Sequence, residues 1–391
     1  MADRIPVVPA VLTWARKSAG LDTARAAKKL GVAESRIREF EDGSLDPTIV
    51  QLRNMATAYK RPLAVLLLPE PPLDFQPMKD FRRKGQSGDD WSPELHSEFK
   101  RAMSQREVII ELSEVAPSSV PASNQSLQMP DIVGPKAIAE ALRALVNLDD
   151  WPRAARRTPA ALVNTAIEAV ESLGVLVVQA RGVLTSEMRG FSISEWPYPV
   201  IVLNASDWPR PKLFTLFHEL AHLTRNAGGV CDLHESGMKV PATEVDSVEH
   251  FCNQVAAEML MPEASILALG IEAGRDWTPD SLSAAAAPFG ASAEAFLLRL
   301  VGLKLASWDQ YWAAKTDLDE AYEHARSAER ARLRNASGGP SFYVLKARDL
   351  GHGYVHSVLD AYRARAIRSY DAADYLDVQY QQIGKLSEAA S

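Results

Sequence analysis

Five consecutive residues could do chemistry together: His218-Glu219-Leu220-Ala221-His222. On a helix, side chains four apart lie on one face, a turn above each other. His218 and His222 can therefore offer two imidazole nitrogens to one metal ion. Glu219 sits one step round, where it can take a proton from a metal-bound water without filling a ligand position. Spacing of this kind serves zinc-dependent hydrolysis. A zinc ion held by three protein groups keeps a fourth position open for water and lowers its pKa towards about 7.

The elements that must position these residues are legible. Leu213, Leu216, Phe217, Leu220 and Leu223 follow helical spacing and predict a core-facing stripe, with Phe214, His218 and His222 on the neighbouring face. Pro209 and Pro211 precede the helix, where prolines are tolerated. Two histidines hold zinc poorly, so a third ligand is needed. One class of zinc enzymes places a third histidine six residues after the second, but Gly228 stands there. The other common solution is a glutamate on a later helix. The spacing of Val248, Phe251, Val255, Met259 and Leu260 predicts a helix over 245–261, stopped by Pro262. Glu249 and Asn253 share a face of it. Glu249 is assigned as the third ligand and Asn253 as a group orienting a ligand histidine. A solvated surface glutamate remains the competing reading of Glu249.

Several runs carry a specific resemblance. The stretch Phe214-Thr215-Leu216-Phe217-His218-Glu219-Leu220-Ala221-His222-Leu223 resembles the active-site helix of the ImmA/IrrE family of zinc metallopeptidases. The run from Val248 through Glu249 and Asn253 to Met261-Pro262 resembles that family's second motif, with Met259 where leucine is usual. The resemblance extends to Arg189-Gly190-Phe191-Ser192 and to Pro199-Val200-Ile201-Val202-Leu203-Asn204, which read as strands. It implies Zn2+ as cofactor, Glu249 as third ligand, and a small sheet ahead of the helix pair in a zincin-like (minimal gluzincin) domain.

Cys231 lies in the loop Gly228-Gly229-Val230-Cys231-Asp232 between the two helices. A thiolate is a strong zinc ligand, so Cys231 is a candidate latent fourth ligand, released when the glycine pair hinges. The plainer reading is a small loop residue.

The first seventy residues read as short helices over 11–19, 24–30, 33–41 and 49–59, with a tight turn at Gly31-Val32. Between Val11 and Leu68 ten Lys and Arg face six Asp and Glu, a net of +4 inside a chain of net charge −7. A basic module in an acidic chain suits phosphate contact. Ala26-Ala27-Lys28-Lys29-Leu30-Gly31-Val32, Ile37, Glu41-Asp42-Gly43 and Pro47-Thr48 resemble the XRE family of helix-turn-helix proteins. The resemblance implies double-stranded DNA contact through Thr23, Glu34, Ser35, Arg36, Arg38 and Glu39. Thr23 stands where glutamine is frequent, and Glu34 and Glu39 repel phosphate while suiting cytosine amino groups. A helical docking or dimerisation module is the competing reading.

The whole chain is expected to be α+β and mostly helical. Its expected parts are a helix-turn-helix domain (1–72), a connector helix and linker (73–135), the peptidase-like domain (136–270) and a helical C-terminal region (271–391). Within the connector, 94–114 reads as a charged, solvated bridge and 116–135, rich in Pro and Ser, as a linker. The tail (339–343, 355–361 and 369–376) resembles the C-terminal part of longer ImmA/IrrE proteins. Two cysteines in 391 residues fit no disulfide framework, and no apolar run is long enough to cross a membrane. A cytoplasmic regulator is expected, cutting a repressor or antitoxin-like protein to control stress, mobile-element, toxin-antitoxin or defence genes. It could also pair with a second copy. Glu219 would be the general base. His234, Tyr198 and Arg189 are candidates for stabilising the oxyanion. The alternative is a non-proteolytic regulator or antitoxin whose zincin domain senses a ligand or grips a partner.

Overall fold

In a computed structural model, the structure describes residues 4–59, 61, 63–71, 91–129, 134–151, 158–225, 230–231, 244–335 and 339–390. The chain divides into two compact units, 1–101 and 102–391. The first contains α1 (Pro9–Lys17), α2 (Thr23–Leu30), α3 (Glu34–Glu41) and α4 (Ile49–Ala58), then a 3-10 turn at Leu63–Leu67. Helix α1 starts two residues before the position expected from the sequence, because Pro9 sits comfortably at its first turn. Asp22 caps α2 by accepting from the Arg25 N–H, and Thr48 and Gln51 form a reciprocal capping box on α4. Leu12, Ile37, Phe40, Leu52, Met55 and Leu66 form the core of this unit.

The division falls within α5 (Pro93–Val115). This helix is not the solvated bridge expected. Leu95, Phe99, Ala102, Ile109 and Leu112 recur at three- and four-residue spacing and are buried. In the first unit Phe99 packs edge-on against Trp91. In the second, Gln105 donates to the Leu350 carbonyl and Arg106 pairs with Glu195. The many charges of the segment hid its apolar stripe. Residues after 115 are likewise more than a linker. They form 3-10 turns at Pro117–Ser119 and Gln125–Leu127, and Leu127 and Met129 enter the core. The Asn124 and Met129 N–H groups donate to the carbonyls of Leu173 and Thr224.

The second unit continues with α6 (Pro135–Leu145), α7 (Pro159–Glu171), β1 (Leu176–Ala180), β2 (Gly190–Ile193), β3 (Val200–Asn204), α8 (Pro209–Thr224), β4 (Val230–Cys231) and α9 (Glu244–Leu260). The short α10 (Glu263–Leu267), α11 (Pro279–Ala286) and α12 (Ala293–Gly302) follow, then the long α13 (Trp308–Asn335). The chain ends with α14 (Phe342–Leu350), α15 (His352–Arg363), α16 (Ser369–Tyr375) and α17 (Ile383–Ala390). The four strands form one sheet in the order β1-β3-β2-β4. β1 runs parallel to β3, and β2 is antiparallel to both β3 and β4. Every residue of β1, β2 and β3 is buried, as continuous apolar runs such as Val200-Ile201-Val202-Leu203 require.

Helix α8 packs on β2, β3, α7 and α9, and α9 packs also on α6. Leu213, Leu216, Phe217, Leu220 and Leu223 on α8 and Cys252, Val255, Ala256 and Met259 on α9 lie in the core. The C-terminal helices are built onto the same sheet. The turn between α14 and α15 presses on β1 at Gly351, where a Cβ would stand 2.4 Å from the Val177 carbonyl. No single helix among the described residues is long and apolar enough to cross a membrane.

Candidate metal centre

Helices α8 and α9 bring together the three residues expected as ligands. His218 Nε2 and His222 Nε2 are 3.1 Å apart. The Glu249 carboxylate reaches both, with Oε2 3.3 Å from His218 and Oε1 3.2 Å from His222. Their ligand atoms all lie within 4.8 Å of one another, and all three side chains are buried. Two imidazole nitrogens facing one another across a carboxylate form a donor set for a cation, and a His2Glu set suits zinc. Burial pushes the Glu249 carboxyl up, but the hydrogen bonds and charges of His218 and His222 outweigh it and leave the group below the usual carboxylate range. It is thus held as an anion, the form a ligand needs.

Glu219 is fully buried, and neither carboxylate oxygen makes a hydrogen bond of normal geometry among the described residues. The Ser192 hydroxyl of β2 is its polar neighbour, beside it without closing such a bond. Burial above all pushes the Glu219 carboxyl up, against the pull of His222 and His218. The approach of α8 to the sheet depends on Gly190. A Cβ there would stand 2.5 Å from Thr215 Cγ2 and 3.2 Å from Glu219 Oε1. An unpaired carboxyl in an apolar setting is costly, and such groups gather at functional sites.

The other expected site residues are placed differently. Asn253 makes no hydrogen bond to either histidine among the described residues. It lines a cavity beside the helix pair. Its neighbour Cys252, like Glu249, interacts with His222, and burial pushes this thiol up. Cys231 pairs with Gly190 in the β2–β4 register, next to the strand residue over which Glu219 lies. Its side chain, Gly228, Gly229 and His234 lie outside the described residues. Arg189 is committed to Asp207 at 3.3 Å, and Tyr198 is buried in the turn between β2 and β3. Sequence reasoning missed Cys252 and Ser192 as neighbours of the cluster, since neither has a spacing signal tied to the histidines.

In the first unit, Thr23 donates to Glu34 at 2.6 Å and Arg38 to the same carboxylate at 2.6 Å. Those hydrogen bonds, Thr23's first, hold the Glu34 carboxyl below its ordinary range. Arg36 pairs with Glu39 at 3.1 Å, and Ser35 is exposed. The arginines at the start of α3 are therefore tied to its own acids. Arg25, Lys28 and Lys29 on α2 stand exposed beside them.

Compared with known families, residues 170–301 match the Peptidase_M78 model, the IrrE N-terminal-like domain. The match covers less than half of the chain. It runs from the end of α7 through the sheet and the cluster-bearing helices into α12. The chain matches no curated protein.

Proposed function

We propose that this protein is a regulatory zinc metallopeptidase that cuts a repressor or antitoxin-like protein. The observation that carries the proposal is the buried His218–His222–Glu249 cluster with the unpaired Glu219 carboxyl against β2. The match of residues 170–301 to the IrrE N-terminal-like domain supports the same reading. His218, His222 and Glu249 would hold the metal. When bound, zinc supplies Lewis acidity to a scissile carbonyl and acidifies water. Glu219 does the proton work. As a carboxylate it accepts the proton of the attacking water, and it then returns it to the leaving amine. Its raised pKa suits both halves of that task. Gly190 lets the carboxylate lie against the strand, and the apolar packing of α8 fixes its direction.

The four-helix first unit is proposed to bind duplex DNA. The support is its Gly31 turn between two short helices, its exposed α2 cations and its basic balance. A regulator that senses through the zincin domain without cutting is favoured by one observation: the ligand residues are 0–4% exposed. Incubation of the zinc-loaded chain with the products of its neighbouring genes separates the two readings. One product should be cut by the wild type and left intact by Glu219→Gln or after chelation. Cleavage that survives Glu219→Gln removes Glu219 from its role, and no cleavage of any neighbour favours the sensor.

A further inference from the structure

The second unit holds a cavity of about 1790 Å³ beside the cluster-bearing helices. Its wall carries six aromatic side chains: Trp208, Phe214, Trp308, Tyr311, Trp312 and Tyr322. Five of them stand in two groups. Trp208 and Tyr322 have ring centroids 5.8 Å apart. Tyr311 lies 5.7 Å from Trp308 and 4.9 Å from Trp312, both edge-on. Trp308 and Trp312 keep 40% and 50% of their surface exposed, a poor use of a large apolar ring unless something covers it.

The cavity comes within one helical turn of the candidate metal centre, whose own residues His218, Glu219, His222 and Glu249 do not line it. Phe214 lines it, and its ring stacks near that of His218, one turn on along α8, at 6.5 Å and 28°. Asn253 lines it one turn on from Glu249 along α9. The acids of the wall are spent on the bases of the wall. Asp207 meets Arg189, Glu258 meets Arg299, Glu263 meets Lys136, and Glu294 meets Lys315. The occupant is therefore not selected by strong charge. Small-molecule pockets run to about 300–1,000 Å³, so this one is large for a metabolite and wide enough for a length of chain.

We infer that this groove is the substrate-binding cleft, and that it takes an extended polypeptide segment carrying aromatic or aliphatic side chains beside the scissile bond. The inference rests on the peptidase reading and adds the substrate class. Aromatic walls give a peptide large apolar contact at low entropy cost, and Phe214 both lines the groove and stacks near His218.

The test uses the full chain carrying Glu219→Gln, so that binding is read without cleavage. The probe is a dye-labelled twelve-residue peptide alternating Phe and Leu with Ser. The control has Ser at every Phe and Leu. Anisotropy should report binding of the first peptide and at least about tenfold weaker binding of the control. Trp308→Ala with Trp312→Ala should weaken the apolar peptide by about tenfold or more, with zinc content and thermal unfolding unchanged. Trp312→Phe should retain most of the affinity, because the ring contact survives. Equal binding of the two peptides, or no effect of the double change, overturns the inference. So does a dimer that the double change turns into a monomer, since the groove would then hold a second copy. Tryptophan-dependent binding of a peptide the wild type never cuts keeps the groove and removes the peptidase reading. Cleavage whose kcat/KM ignores both tryptophans does the reverse.

Discussion

Glu219 and Glu249 both act on the same two histidines and are driven in opposite directions. Glu249 faces both imidazoles and is held as an anion, whereas Glu219, fully buried beside Ser192, is pushed towards its neutral form. Two carboxyls pushed apart by their surroundings are suited to two jobs, one as ligand and one as proton carrier. The difference can be measured on metal content. Wild type and Glu219→Gln should each carry one zinc per chain, whereas Glu249→Ala should lose most of it, because two histidines alone bind weakly. Equal retention in all three would remove Glu249 from the ligand set. Gly190 tests the positioning. Gly190→Ala places a methyl 2.5 Å from Thr215 Cγ2 and 3.2 Å from Glu219 Oε1. It should cost about 1–3 kcal/mol by denaturant unfolding and lower cleavage further than that loss explains. Wild-type stability and rate in this variant would show that α8 does not depend on the close approach.

At the scale of elements, α7, which packs on α8, is tied to the C-terminal helices. Glu171, at the end of α7, is buried and accepts from the Gly353 N–H at 3.0 Å, at the start of α15. Its burial pushes the carboxyl up to about 8, against hydrogen bonds from the backbone of Gly353 and Val177. The folded state therefore favours the protonated acid. Its contribution is intact in acid and is lost as pH rises from the ordinary carboxyl value of 4.5 to about 8. Between those values the folded state binds more protons than the unfolded, so stability must fall with pH. Urea unfolding at about pH 5 and about pH 9 should show a smaller fall for Glu171→Gln than for the wild type. Parallel falls would mean that Glu171 titrates normally. The same element scale shows why α5 and residues 116–129 were misread. Charge and proline content mark what solvent tolerates, and burial on one face is decided by what the other elements present.

At the scale of the molecule, a mostly helical unit with basic exposed residues precedes a unit built on a small sheet. The proposed DNA role makes a prediction that the ion pairs of α3 sharpen. The full chain should bind a duplex from its own promoter, with affinity falling steeply as salt rises. Arg36→Ala should weaken it by about 1 kcal/mol or more. Glu39→Gln should tighten it, because it frees Arg36 from the 3.1 Å pair and removes a charge that repels phosphate. Absence of binding at low salt would favour a docking module instead. Unchanged or weaker binding by Glu39→Gln would show that α3 does not face the phosphates.

The ligand spacing was readable because a helix imposes it. His218 and His222 fall on one face in any helix, and the apolar stripe of α8 says that the helix forms. Glu249 was readable less firmly: a second periodic helix with its own stop at Pro262 placed it, but a solvated glutamate fitted that helix as well. That the two helices meet with Glu249 within 3.3 Å of both imidazoles is a fact of packing between segments distant in sequence. So are the Glu219 carboxyl over Gly190, the thiol of Cys252 beside His222, and the seating of α14 and α15 on β1. The aromatic groove belongs here too. Trp308, Tyr311 and Trp312 repeat at helical spacing, which in a sequence means only a buried face. Tertiary structure buried Tyr311 and left the two tryptophans open to a cavity. Periodicity decides which residues share a face, and only the assembled elements decide what that face meets.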